Sequence, residues 1–302
     1  MAEILQKDGM WTFDGDTIRI VPGRERGVHV MRQTVGELAV PLVAVAGIAF
    51  EPGRKSGRLR LRLRDGADPL SQVTRGRLAD VADPYQLVVE SDRSGVAEYF
   101  VDEVRNALLL EQVPAGPTDR YLLPGPAVPL SVGAGDGTVA FDGERVRLEW
   151  NWTTEESKSS AGPQELPLAQ IASVEWLPSA GLENGYLRFT VTGAQPKLSP
   201  KHDPYAVELF GFKKDPLMAL AASAVTVRMP HPYAPVAPVA EPAAPALAPG
   251  GKEAAAPVPA GNQDADHDAL LRRLRELGEL HHAGVLTEEE FSAAKQAVLK
   301  RF

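Results

Sequence analysis

The chain has 302 residues, enough for roughly two domains of ordinary size. Its 32 Lys and Arg against 40 Asp and Glu give a formal net charge of −8, the wrong sign for a surface built to neutralise phosphates, so no nucleic-acid partner is expected. With no cysteine, disulfides, thiol nucleophiles and Cys-ligated metal centres are excluded.

The opening "MAEILQKDGMW" carries an acid at position 3 and lacks the apolar run of a secretory signal. The longest apolar run, Leu38 to Ala49, has 12 residues and contains Pro41, short of the ~20 that span a bilayer. A cytoplasmic location is the expectation. "FDGDTIRI" at Phe13 returns as "FDGERVRL" at Phe141, 128 residues on. "VPLVAVAGIAFEP" at Val40 matches "LPLAQIASVEWLP" at Leu166, pairing Phe50 with Trp176 at an offset of 126. "GRLRLRL" at Gly57 matches "GYLRFTV" at Gly185, and "DPYQLVV" at Asp83 matches "DPYAVEL" at Asp203, where the offset has fallen to 120. Four blocks in one order predict a duplication, with loop insertions causing the drift. The copies are predicted at 10–110 and 138–228, joined by a Pro/Gly-rich linker, 111–137.

Within the copies apolar residues alternate as in half-buried strands: Leu59, Leu61 and Leu63, then Leu87 and Val89, then Val146 and Leu148. Each copy closes on a helical pattern, with Val96, Phe100, Val104 and Leu108 as the first stripe. Many short strands followed by one helix predict an α+β, mainly β module, a small bent sheet, barrel or sandwich capped by its C-terminal helix. A stretch with nine prolines between Pro230 and Pro259 predicts an extended tether over 229–263. Beyond it, 264–302 reads as a helical hairpin: Leu270, Leu274, Leu277 and Leu280 form a stripe, Gly284 stops the first helix, and Thr287 with Glu290 caps the second.

Strands capped by one helix are the architecture of pleckstrin-homology-like domains. The "W.FDG" opening at Trp11, the "PL..I..I.F" centre and the "DPY" strand entry resemble an uncharacterised bacterial family, domain of unknown function forty-four twenty-nine. That resemblance covers both copies and implies a fold, with no catalytic residue. The tail, through Gly284, Val285, Leu286, Thr287, Glu290, Phe291, Lys295 and Leu299, resembles the short C-terminal domain called SHOCT. A segment this small rarely holds a core alone, so Leu270, Leu274, Leu277, Leu280, Leu286, Phe291 and Leu299 are candidates for self-association or partner docking.

The six histidines, His29, His202, His231, His267, His281 and His282, have no metal-ligand or triad spacing, and no cofactor is implied. "GAGDG" at Gly133 lacks the Lys and Ser/Thr of a phosphate loop and reads as a turn. Arg58, Arg60, Arg62 and Arg64 share one strand face. With Arg24 and Arg26 of the preceding turn they are candidates to bind an anionic ligand or membrane surface. The other reading is a solvated face paired with acids such as Glu51 and Asp65. Trp150 and Trp152 share parity with Val146 and Leu148 and read as core. The function expected is that of a non-enzymatic cytoplasmic binding or scaffold protein whose hairpin assembles copies or docks a partner. The alternative is a peripheral membrane or anionic-ligand sensor using the basic face.

Overall fold

The computed structural model describes residues 1–193 and 198–234. The candidate self-association residues Leu270, Leu274, Leu277, Leu280, Leu286, Phe291 and Leu299 lie outside them, as does the tether after Ala234.

The first repeat opens with β1 (Ala2–Gln6), β2 (Gly9–Phe13) and β3 (Thr17–Pro22), then a short helix α1 (Val30–Val35) and β4 (Leu38–Pro41). These strands pair in chain order as a four-stranded antiparallel sheet. A second sheet follows, β5 (Val45–Glu51), β6 (Ser56–Leu63) and β7 (Gln86–Glu90), with α2 (Pro69–Thr74) in the β6–β7 connection. Helix α3 (Ser94–Leu110) closes the repeat, and Trp11 meets its Phe100 edge-on at 6.3 Å inside the core. The buried stripe of α3 is Ala97, Phe100, Val101 and Val104, one position round from the expected start, so Val96 is left at the surface.

The second repeat runs through the same elements except α2: β8 (Leu130–Ala134), β9 (Gly137–Phe141), β10 (Arg145–Trp150), α4 (Glu156–Ser159), β11 (Gln164–Pro167), β12 (Ile171–Leu177), β13 (Gly185–Val191), β14 (Ala206–Leu209) and α5 (Met218–Thr226) among the described residues. Its sheets have the same orders, β8 to β11 and β12 to β14. Registers agree to the residue: Phe50 faces Leu59 and Trp176 faces Leu187, with a register break after Val45 in one repeat and after Ile171 in the other. In neither repeat do the two sheets join, so the architecture is two open sheets rather than a closed barrel.

The repeated "FDG" is explained at the β2–β3 and β9–β10 turns. Phe13 and Phe141 anchor the strand ends in the cores. Asp14 Oδ1 accepts the N–H groups of Thr17 and Asp16, and Asp142 Oδ1 those of Glu144 and Arg145. These bonds hold both carboxyls below the usual carboxylate range. Gly15 and Gly143 then adopt φ of 114° and 113°, where a side chain would be strained. "DPY" works similarly, since Asp83 and Asp203 each accept the N–H of the tyrosine two residues on and so set the entry to β7 and β14.

The expected boundaries need correction. Each repeat starts one strand earlier, at β1 and β8, and β8 falls within the segment read as linker. Residues 116–123 of that segment are strapped to the first repeat: Leu123 is core, Leu122 and Leu123 donate to Ala67 O, and Arg64 donates to the carbonyls of Gly116 and Pro117.

Both repeats belong to one compact unit. The β6–β7 connection, 64–85, is eight residues longer than its counterpart, 192–205, which accounts for the offset drift. Asp68 caps α2 by accepting the N–H groups of Leu70 and Ser71. Leu70 and Val73 then enter the core of the second repeat, where α5 lies. Every residue of α5 from Met218 to Val225 is buried. A helix apolar all round needs cover on every side, and α2 supplies what the second repeat lacks.

Candidate functional site

The basic face is where alternation places it, with Leu59, Leu61 and Leu63 in the core and the arginines opposite. The acid that meets it is Asp80, rather than Glu51 or Asp65: Arg58 pairs with Asp80 at 2.5 Å and Arg60 approaches it at 3.6 Å. Arg64 is structural, its guanidinium donating to the carbonyls of Val43, Gly116 and Pro117. Arg24, Arg26 and Arg62 are exposed. A groove of about 390 Å³ lined by Arg60, Arg62 and Arg75 also carries Asp65, Asp80 and Asp83, so its charge is balanced. The six arginines therefore do not converge on one anion site.

A second site lies where the repeats meet. A cavity of about 210 Å³ is walled by Gln72 and Val73 of α2, by Ala172–Trp176 of β12, by Thr226 of α5 and by Tyr121. Three polar atoms of these walls, Tyr121 OH, Trp176 Nε1 and Thr226 Oγ1, are buried without a protein partner among the described residues. Trp176, the counterpart of Phe50, is 3% exposed and lines this cavity. Burial pushes the Tyr121 phenol above its ordinary pKa, which keeps it a neutral donor. Arg75 and Arg77 stand at the rim. Arg75 ends α2 at φ 48°, a left-handed conformation uncommon for a side chain of that size. Glu175, the acid in the wall, is engaged with Tyr186.

The chain leaving α5 makes the last wall. Pro230 and Pro232 line the cavity, while His231 packs edge-on against Tyr121 at 4.5 Å and meets Gly66 O at 2.9 Å through Nε2. Gly66 is at φ 80°, and a Cβ there would come within 2.8 Å of the His231 ring. The donors in the walls are an indole N–H, the Gln72 amide, the hydroxyls of Tyr121, Ser173 and Thr226 and, at the rim, two guanidinium groups. That set suits a ligand rich in acceptor oxygens, with Trp176, Val174 and Met229 as its apolar floor.

The sequence matches the family described as a domain of unknown function (DUF4429) over residues 11–105 and again over 139–226. The chain belongs to this family. Among curated proteins none matches it. The two DUF4429 matches coincide with the two repeats, apart from the first strand of each.

Both DUF4429 repeats also contain a buried ion pair that sequence reading passed over. Asp8, in the β1–β2 turn, pairs with Arg32 of α1 at 3.0 Å, and Asp136, in the β8–β9 turn, pairs with Lys158 of α4 at 2.6 Å. The signal was present: "DG" at Asp8 and at Asp136 are 128 residues apart, the offset of the "FDG" motif. "GAGDG" is therefore a turn, as read, and its aspartate is its working residue. Trp152, expected in the core, is 94% exposed because β10 ends at Trp150. Asn151 turns the chain there, its Oδ1 accepting from Thr153. Among the described residues no group of three or more His, Asp or Glu is placed to hold a metal, and no helix is long and apolar enough to cross a membrane.

Proposed function

We propose that the chain is a non-enzymatic cytoplasmic binding or scaffold protein. Its two repeats, each pleckstrin-homology-like, act as one platform that holds a small acceptor-rich organic anion in the cavity between them. The SHOCT-like hairpin of 264–302 assembles copies of the chain or docks a protein partner. The pleckstrin-homology-like reading is supported by four strands, then three, then a closing helix in each repeat. The observation that carries the binding reading is that Tyr121, Trp176 and Thr226, whose OH, Nε1 and Oγ1 are buried without a partner among the described residues, all line one cavity. Three buried polar groups left unpaired are costly, and a ligand that accepts from them recovers that cost.

Calorimetric titration of the full chain with benzoate and with phenyl phosphate tests this. At least one should bind saturably, and Trp176→Phe and Thr226→Val should each weaken it about 3- to 10-fold, the worth of one hydrogen bond. Saturable binding of neither probe, or unchanged binding in both variants, would overturn the reading.

Peripheral attachment to an anionic membrane is the alternative, and it rests on the exposed Arg24, Arg26 and Arg62. At about 1 kcal/mol per basic residue near such a surface, replacing all three by Gln should abolish co-sedimentation with phosphatidylserine vesicles at low salt. Equal partitioning of the two proteins would remove this alternative.

A further inference from the structure

The duplication carries its own control for a third site. In the second repeat the buried cation is sealed. Lys158 is 0% exposed, donates to Asp136 Oδ2 and to Pro200 O at 3.2 Å, and lies 4.5 Å from the centre of the Trp150 ring.

The corresponding cation of the first repeat is buried too, but it is only partly paired. Arg32 is 3% exposed and uses only Nη1, toward Asp8. Its Nε and Nη2, the two parallel donors along one edge of the guanidinium plane, have no partner among the described residues. Arg32 lines a cleft of about 170 Å³ together with His29, Arg58, Asp80 and Gln86. Gln86 Nε2 is taken by Asp80 and Asp83, but its Oε1 is buried and also lacks a partner. Val81 and Val88, both well exposed, form an apolar rim. The second repeat has Ala206 where the first has Gln86, since Arg60 faces Gln86 and Arg188 faces Ala206 in the matching strand pairs.

Two parallel N–H donors match the two oxygens of a carboxylate. The fixed charges of the cleft are already balanced, Arg32 against Asp8 and Arg58 against Asp80, so one further negative charge is better accommodated than two. The unpaired Gln86 Oε1 calls for a donor on the same ligand, and the valine rim for a short alkyl group. We propose that this cleft of the first repeat binds a short aliphatic hydroxycarboxylate, with the carboxylate on Nε and Nη2 of Arg32 and the hydroxyl donating to Gln86 Oε1. The second repeat lacks the site, having Lys158 and Ala206 at the two positions. This inference stands on residues other than those of the inter-repeat cavity and survives or fails separately from it.

The test is a ligand-observed NMR titration of the full chain with lactate, propionate and inorganic phosphate. Lactate should bind saturably, propionate about 3- to 10-fold more weakly for want of one hydrogen bond, and phosphate more weakly than lactate. Arg32→Lys and Gln86→Ala copy the second repeat, so both should fold. The first should lower lactate affinity at least tenfold, and the second should bring lactate down to the level of propionate. Retained lactate affinity in Arg32→Lys, equal binding of lactate and propionate by the unaltered protein, or tighter binding of phosphate would each overturn the proposal. Should Arg32→Lys unfold, Gln86→Ala with the lactate-to-propionate ratio decides alone.

Discussion

Replacing Asp136 by alanine is expected to destabilise the protein by about 3–5 kcal/mol, because it leaves a buried ammonium without its counter-ion. Asp136 is 1% exposed; its Oδ2 takes Lys158, and its Oδ1 takes the Glu208 N–H at 2.8 Å, tying the β8–β9 turn to β14. Burial pushes the Asp136 carboxyl up and the Lys158 ammonium down, while their contact pulls each the other way. Remove the carboxylate and the effect of burial on Lys158 is opposed only by the charges of Glu208 and Asp203, with Pro200 O as its one hydrogen-bond acceptor among the described residues. The double change Asp136→Ala with Lys158→Met should recover most of the loss, since an apolar replacement of a buried pair is often close to neutral. Urea unfolding of the two single variants and the double variant measures the coupling directly. A double variant as unstable as Asp136→Ala alone would mean that the stranded charge is not the cause. Asp8→Ala should cost less, because the Asp8 side chain is 29% exposed and its pair with Arg32 is less fully desolvated than that of Asp136 with Lys158.

The second large effect is expected at the joint between repeats. Leu70 is 5% exposed and belongs to the core of the second repeat although it sits on α2 of the first. Leu70→Asp removes a buried leucine, worth about 2–5 kcal/mol when truncated, and adds the desolvation of a carboxylate. The loss should also change the form of unfolding. With α2 detached, α5 loses the cover over its outer side, and the second repeat should melt ahead of the first. The check is thermal unfolding followed at two wavelengths, far-UV for both repeats and tryptophan emission. A lower but still single, coincident transition would mean that the repeats are joined mainly elsewhere.

How far the sequence reveals this depends on which physical constraint each residue serves. Turn chemistry was legible, because "FDG" and "DPY" each need a short side-chain oxygen accepting backbone N–H groups, and aspartate supplies it at that reach. Strand parity was legible for the same reason that Arg58 to Arg64 alternate with leucines, but parity says nothing of partners. Asp80 arrives from the lengthened β6–β7 connection, far from the strand it neutralises. β1 and β8 were missed because "AEILQ" and "LSVGA" share burial alternation without sharing residues, so the duplication is silent there. Trp152 shows parity extended beyond the strand that justifies it. The inter-repeat cavity was hidden because its walls come from α2, Tyr121, β12 and the chain after α5, segments separate in sequence. One clue stood in the open: "MALAASAV" is apolar on every face, and such a helix at the end of a small domain needs a second body to cover it.

That second body is the central claim, and differential scanning calorimetry of the full chain tests it most directly. If α2 on α5 fuses the repeats, residues 1–234 should unfold in one endotherm whose calorimetric and van't Hoff enthalpies agree. Two separable endotherms, each with the enthalpy of about 100 residues (roughly 60–80 kcal/mol), would contradict it and leave the repeats as independent modules.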